Sequence, residues 1–297
     1  MKRCRAYSTL AVLAPMAVWL SAAPLSHAAS DVVLTDYIFL DSFESSDCST
    51  IVACPVPTSG KACVSGQLSE TGTAAPLRAV FNRGLACGQG AVGGPCDLAL
   101  AVYDAASFAA NPAASPPLSN TGQTLDGCGR FRFEDIPPPA AETVAIAVDD
   151  APGSGVNDYV PTATFHSLAP NARVDGLATP ATLQSTANDW TTTAGTNLIT
   201  AGVLLLTYRA SDVPQPNVTV AKNGGPSPPK DYYFDDVGAT RYTIAGFLSA
   251  TSANGSALFS NGGLGTYSGI GGPMGCVWPQ VVAASIAGIV AFVEIQC

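Results

Sequence analysis

Apolar and polar residues alternate along this chain in short runs, and turn residues separate the runs at intervals too close for long helices. The sharpest instance is Leu125 to Pro139, LDGCGRFRFEDIPPP. Asp126, Gly127 and Gly129 supply a turn, Phe131 and Phe133 fall on one side of a strand, and Arg130, Arg132 and Glu134 fall on the other. Pro137 to Pro139 then end the pairing, so the order predicts a half-buried strand. Further strands are predicted at Ala62 to Leu68, Asp97 to Tyr103, Val144 to Val148, Gly202 to Tyr208, Asn217 to Val220, Tyr232 to Asp235 and Ser256 to Phe259. Val281 to Val293 is read as one or two buried closing strands, because Glu294 and Pro279 bound a run too short to span a bilayer. Between the strands, Ala105 to Thr124 reads as a solvated Pro, Ala and Ser-rich loop. Ser185 to Ala194 reads as a short helix that lays Trp190 against a domain.

The segment Asp126 to Pro137, followed by Val144-Ala145-Ile146-Ala147-Val148, resembles the signature of the carboxypeptidase regulatory-like and transthyretin-like (prealbumin-like) β-sandwiches. A second segment, Val64-Ser65-Gly66-Gln67-Leu68 with Pro76-Leu77 downstream, resembles the first hairpin of the same domains. The resemblance implies an all-β fold with many uses, and says little of what is bound. Val213-Pro214 before Val218-Thr219-Val220, and Thr251 to Ala257 leading into a strand, resemble weaker copies of these features. Asn254 stands there in place of the usual Asp, and Leu258-Phe259 breaks the aromatic alternation. The expected architecture is therefore two tandem antiparallel β-sandwiches: residues 61–168, a linker at 169–200, and residues 201–297.

The N-terminus changes this picture by adding an address. Lys2, Arg3 and Arg5 precede an apolar run from Leu10 to Leu20 and small residues up to Ala28, the order of a signal peptide over residues 1–28. Residues 29–60 then form a leader, whose island Tyr37-Ile38-Phe39-Leu40 is expected to pack as a strand or plug on the first domain. Loss of the signal removes three of the 13 basic residues and none of the 22 acidic ones, leaving a net charge near −12. Nucleic acid is excluded as a partner on that ground, and no integral membrane segment is expected after cleavage. The Ala and Gly-rich composition fits a bacterial source, and the address fits the periplasm, the cell surface or the medium.

Nine cysteines become eight once Cys4 departs, an even number that fits disulfides in an oxidising compartment. Cys276 and Cys297 are expected to pair, since they stand alone in the second unit. Cys87 with Cys96 would pin a glycine-rich hairpin, and Cys63 with Cys128 and Cys48 with Cys54 follow by elimination. Thiolate metal ligation lacks a C-x2-C pair.

Catalytic chemistry finds little support. His166 is the one histidine after residue 28, it sits in no nucleophile-elbow pattern, and it reads as a surface or loop residue. Asp149, Asp150, Asp235 and Asp236 sit at strand ends, where calcium is the one cofactor they would suit, although no D-x-D-x-D-G loop is present. Lys61, Lys222 and Lys230 raise the Lys to Asn isopeptide bond of some relatives, but no Asn occurs from Ala140 to Val156 to complete it. Tyr232, Tyr233, Tyr242, Tyr267 and Trp278 would form a stacking platform for sugars if exposed, and core if not. The expected function is non-catalytic binding or scaffolding toward an unknown protein or polysaccharide. A carbohydrate-binding protein is the alternative, and a hydrolase the third reading.

Overall fold

The computed structural model describes residues 52–71, 98–119, 129–139, 142–150, 159–226, 231–235, 243–245 and 248–297, all within one compact unit, Leu40–Cys297. In chain order the elements are β1 (Ala62–Glu70), β2 (Leu98–Asp104), α1 (Ala105–Ala110), β3 (Arg130–Ile136), β4 (Thr143–Asp150), β5 (Tyr159–Val160), β6 (Thr162–Ser167) and β7 (Arg173–Leu183). They continue with α2 (Gln184–Ala194), α3 (Leu198–Ala201), β8 (Val203–Ala210), β9 (Val213–Pro214), β10 (Val218–Lys222), β11 (Gly225–Pro226), β12 (Asp231–Asp235) and β13 (Thr243–Ala245). The last are β14 (Ser256–Ser260), β15 (Gly263–Gly271), β16 (Val281–Ser285) and β17 (Val290–Gln296). The described residues are mostly β, and their strands form three sheets with largely antiparallel pairing.

A central sheet runs β13-β12-β14-β8-β17-β6-β4-β2, with β9 added beside β8. On one face β2 and β4 direct Leu98, Leu100, Val102, Val144, Ile146 and Val148 against the sheet β3-β1-β7-β5, which supplies Val64, Leu68, Phe131, Phe133 and Ile136. Farther along that same face, Leu205, Phe234, Leu258 and Phe292 are covered by Trp190 of α2 and Leu198 of α3. The opposite face carries Phe165, Leu204, Leu206, Tyr208, Phe259 and Val293 against α1 and the sheet β11-β10-β15-β16. Strand β8 is apolar at consecutive positions for this reason: Val203 and Leu205 meet one layer, Leu204 and Leu206 the other.

This arrangement corrects the expected division into two tandem sandwiches. β17 pairs in parallel with β6 on one side and β8 on the other, so strands assigned to both expected domains lie in one sheet. β1 also pairs in parallel with β7, an eleven-residue strand inside the expected linker 169–200. The pairing is thus mixed rather than purely antiparallel. The leader is corrected at its end: Cys54 is bonded to Cys63, the Cys54 amide donates to Asp175 Oδ1 at 2.6 Å, and Thr58 Oγ1 donates to Asp135 Oδ1 at 2.7 Å. Residues 52–60 are tied to the first sheet, while the Tyr37 to Leu40 island lies outside the described residues.

The loop expected from Ala105 begins instead as helix α1, whose Phe108 is buried and meets the Tyr103 ring at 4.8 Å. Asp104 caps it, its carboxylate accepting from the Ser107 amide at 2.9 Å. Replacing Asp104 by Ala is expected to lower unfolding free energy by about 1 kcal/mol in denaturant titration. An unchanged midpoint would show that packing of Phe108 alone holds this turn.

The motif glycine of β1 has a steric cause. Gly66 lies directly opposite Phe131, and a Cβ there would stand 2.6 Å from the Phe131 ring and 2.3 Å from the Leu177 carbonyl oxygen. The aromatic ring covers the space a side chain would fill.

Candidate functional site

The aromatic residues proposed for stacking do not form a surface platform. Tyr233, Tyr267 and Trp278 are buried, and Tyr232 packs half-buried against the core beneath α2. Their polar ends are used internally. The Tyr233 hydroxyl accepts from the Val220 amide at 3.3 Å, Tyr267 donates to the Gly263 carbonyl at 2.9 Å, and Trp278 Nε1 donates to the Gly271 carbonyl at 2.9 Å. Burial raises the Tyr267 phenol above its usual range. Trp278 lies over Gly269 and edge-on to Tyr208 at 5.2 Å. Four of the five residues therefore belong to the core, the second of the two readings, and Tyr242 lies outside the described residues.

Among the cysteines, Cys276 is bonded to Cys297, as their isolation in the sequence predicts. The bond Cys54–Cys63 replaces both eliminations, Cys63 with Cys128 and Cys48 with Cys54. Cys48, Cys87, Cys96 and Cys128 lie outside the described residues. The acids do not assemble either: Asp149 on β4 and Asp235 on β12 are separated in the central sheet by β6, β17, β8 and β14. Among the described residues no three of His, Cys, Asp and Glu converge as metal ligands.

The polar groups that do converge surround His166, which is corrected from a surface or loop residue to a strand residue of β6. Thr164 and His166 alternate with Phe165, so they face the side of the central sheet that bears Thr207 on β8 and Glu294 on β17. There, between the cover provided by β1 and β7 and that provided by α2, lies a cavity of about 140 Å³ lined by these residues with Ser69, Glu70 and Thr71. His166 is partly exposed as a residue, but its Nε2 is fully enclosed and has no hydrogen-bond partner among the described residues; Thr164 Oγ1 is in the same state. Burial lowers the His166 pKa from 6.5 to about 4, so the ring is neutral near pH 7.

A larger void of about 720 Å³ adjoins it and has an unusual lining. It touches Gly176, Leu177 and Ala178 of β7 in one covering layer and Val281 and Val282 of β16 in the other. Between these it touches Phe165, His166 and Ser167 of β6 and Val293, Glu294 and Gln296 of β17. A void bounded by layers on both faces of a sheet must cross the sheet plane. The ladder explains where: β6 and β17 pair through Val290↔Thr162, Ala291↔Ala163 and Phe292↔Thr164, and no further. Beyond that point β6 stays paired with β4 through Ser167, and β17 with β8 through Gln296. Beyond the ladder, the ends of the two parallel strands border the void as a slot. At its rim Arg209 pairs with Glu294 at 3.2 Å, and Gln296 Nε2 donates to Glu294 Oε1 at 2.6 Å and to Asp212 Oδ1 at 3.2 Å.

Chemically the slot offers a neutral imidazole, hydroxyls, a braced carboxylate and apolar walls. Ser167, the serine beside the imidazole in sequence, donates to the Glu142 carbonyl at 3.4 Å. The sequence reading missed the slot because it arises from a parallel pairing that stops partway, for which no local pattern exists.

No protein family and no curated protein matches the chain. Among solved structures it is similar to the Bacillus anthracis TIE protein, at 12% identity over 80% of this chain and 34% of that one, with a TM-score of 0.20. It is also similar to the shaft pilin SpaA from Lactobacillus rhamnosus GG, at 10% identity over 80% of this chain and 97% of that one, with a TM-score of 0.23.

Proposed function

We propose that the chain is an exported protein that binds or scaffolds at the cell surface or in the periplasm and catalyses no reaction. The observation that carries this reading is the state of His166. It is the one imidazole after residue 28, and its enclosed Nε2 meets neither a serine nor an acid among the described residues. A general base must reach its nucleophile, and a neutral ring titrating near pH 4 is poorly matched to proton transfer at neutral pH. Enclosed hydroxyl and imidazole groups beside apolar walls suit recognition instead. Export is supported by the bonds Cys54–Cys63 and Cys276–Cys297, since disulfides persist in oxidising compartments, and by the signal-like order of residues 1–28. No helix among the described residues is long and apolar enough to cross a membrane.

The test is expression of the whole chain in a bacterial host, with fractionation and thiol labelling after denaturation. The expected product lacks residues 1–28, lies outside the cytoplasm and resists labelling at Cys54, Cys63, Cys276 and Cys297. A full-length cytoplasmic product with free thiols would refute export. Turnover of chromogenic esters or glycosides that disappears in His166→Gln would refute the non-catalytic part.

A further inference from the structure

We infer that the slot between β6 and β17 receives an extended peptide segment of a partner protein, whose backbone completes the central sheet. The inference rests on the binding reading above and names the class of partner. Phe165 to Ser167 and Val293 to Gln296 are each held in the sheet on their outer sides, by β4 and β8 respectively. Their facing edges have no ladder partner among the described residues, and strand edges present amide and carbonyl groups to any chain laid beside them. The void of about 720 Å³ occupies this gap and crosses the sheet from one face to the other. An extended backbone is the ligand shape that can pair with two strand edges at once.

The walls set the side-chain pattern of the inserted strand, because successive residues of a strand point to opposite faces. One wall holds His166, Glu294 and Gln296, with the enclosed, unpartnered Thr164 Oγ1 and His166 Nε2 behind it. The other holds Phe165, Val281, Val282 and Val293. A partner segment therefore alternates hydrogen-bonding residues with β-branched or other apolar ones. The carboxylates of Glu294 and Asp212 at the rim, and the acidic balance of 22 Asp and Glu against 13 Lys and Arg, favour lysine at the polar positions, although Arg209 already meets Glu294.

The test uses the full chain and a fluorescent blocked peptide of sequence Lys-Val-Thr-Val-Lys, beside a copy with alternate amides N-methylated. Anisotropy should detect binding of the first peptide, with the second at least about tenfold weaker because it keeps the side chains and loses the ladder. Hydrogen exchange at residues 165–167 and 293–296 should slow with the first peptide alone. Ala178→Trp should weaken binding about tenfold without changing the melting temperature, since Ala178 is exposed at the slot mouth. Absence of binding at millimolar peptide, equal binding of the methylated copy, protection elsewhere, or indifference to Ala178→Trp would each overturn the inference. If the chain is nonetheless exported, oxidised and inert toward the chromogenic substrates, the broader reading stands without it; a cytoplasmic or hydrolytic chain would remove the broader reading itself.

Discussion

Replacing Phe133 by Ala is expected to lower the stability of the folded chain by about 3 to 5 kcal/mol, with Phe131→Ala close behind. Phe133 has no solvent exposure and Phe131 has 2%, and their rings meet at 5.8 Å between the first sheet and the central one. Phe131 also covers Gly66 across the ladder, so its loss opens space that backbone cannot refill. Arg132 on the same strand is the control. Its side chain is 38% exposed, pairs with Glu134 at 2.6 Å and donates to the Ala53 carbonyl at 3.3 Å, so Arg132→Ala should cost under about 1 kcal/mol. Urea unfolding of the three variants gives the ranking directly. An Arg132 variant less stable than either Phe variant would mean that the strand faces the other way.

Stability is expected to fall with acidity in a way that depends on His166. In the unfolded chain this ring takes up a proton as pH drops through 6.5, whereas burial delays protonation of the folded chain to about 4. The contribution is complete above pH 6.5 and is lost progressively down to about 4, reaching at most about 3 kcal/mol. Glu70 and Glu294 line the same cavity, with Arg209 beside Glu294. The difference between the native chain and His166→Gln therefore isolates the imidazole. Unfolding free energies measured from pH 7.5 to 4 should decline less steeply in the variant. Parallel curves would show that the ring is solvated.

The elements that sequence reveals are those whose burial is one-sided and local. β3 alternates Phe131 and Phe133 with arginines, β8 opens with four consecutive apolar residues from Val203 to Leu206, and α2 places Trp190 inward within a helical segment, so all three are legible from spacing. β7 is not, because its first half, Arg173 to Leu177, is largely exposed and its place is set by parallel pairing with β1 across more than a hundred residues. β15 is absent from the predicted strands because it is glycine-rich; Gly269 faces Trp278 and Gly265 faces Lys222, so neighbouring side chains fill what the strand leaves empty. The cysteine count fixes that bonds form and not which, and Cys54 reaches Cys63 through the docked segment rather than by elimination. The slot around His166 was hidden for the same reason as β7: its two walls meet only through long-range pairing.

β17 follows in sequence both strands that it joins, and this sets an order on synthesis. β6 and β8 remain without their common neighbour until residues 290–296 have left the ribosome. Segments completed earlier have their local hairpins but not the strand that unites them, so the polypeptide keeps apolar edges unsatisfied throughout elongation. A chain built this way joins β6 to β8 only once β17 docks, so its cooperative core forms after that strand is made rather than piece by piece.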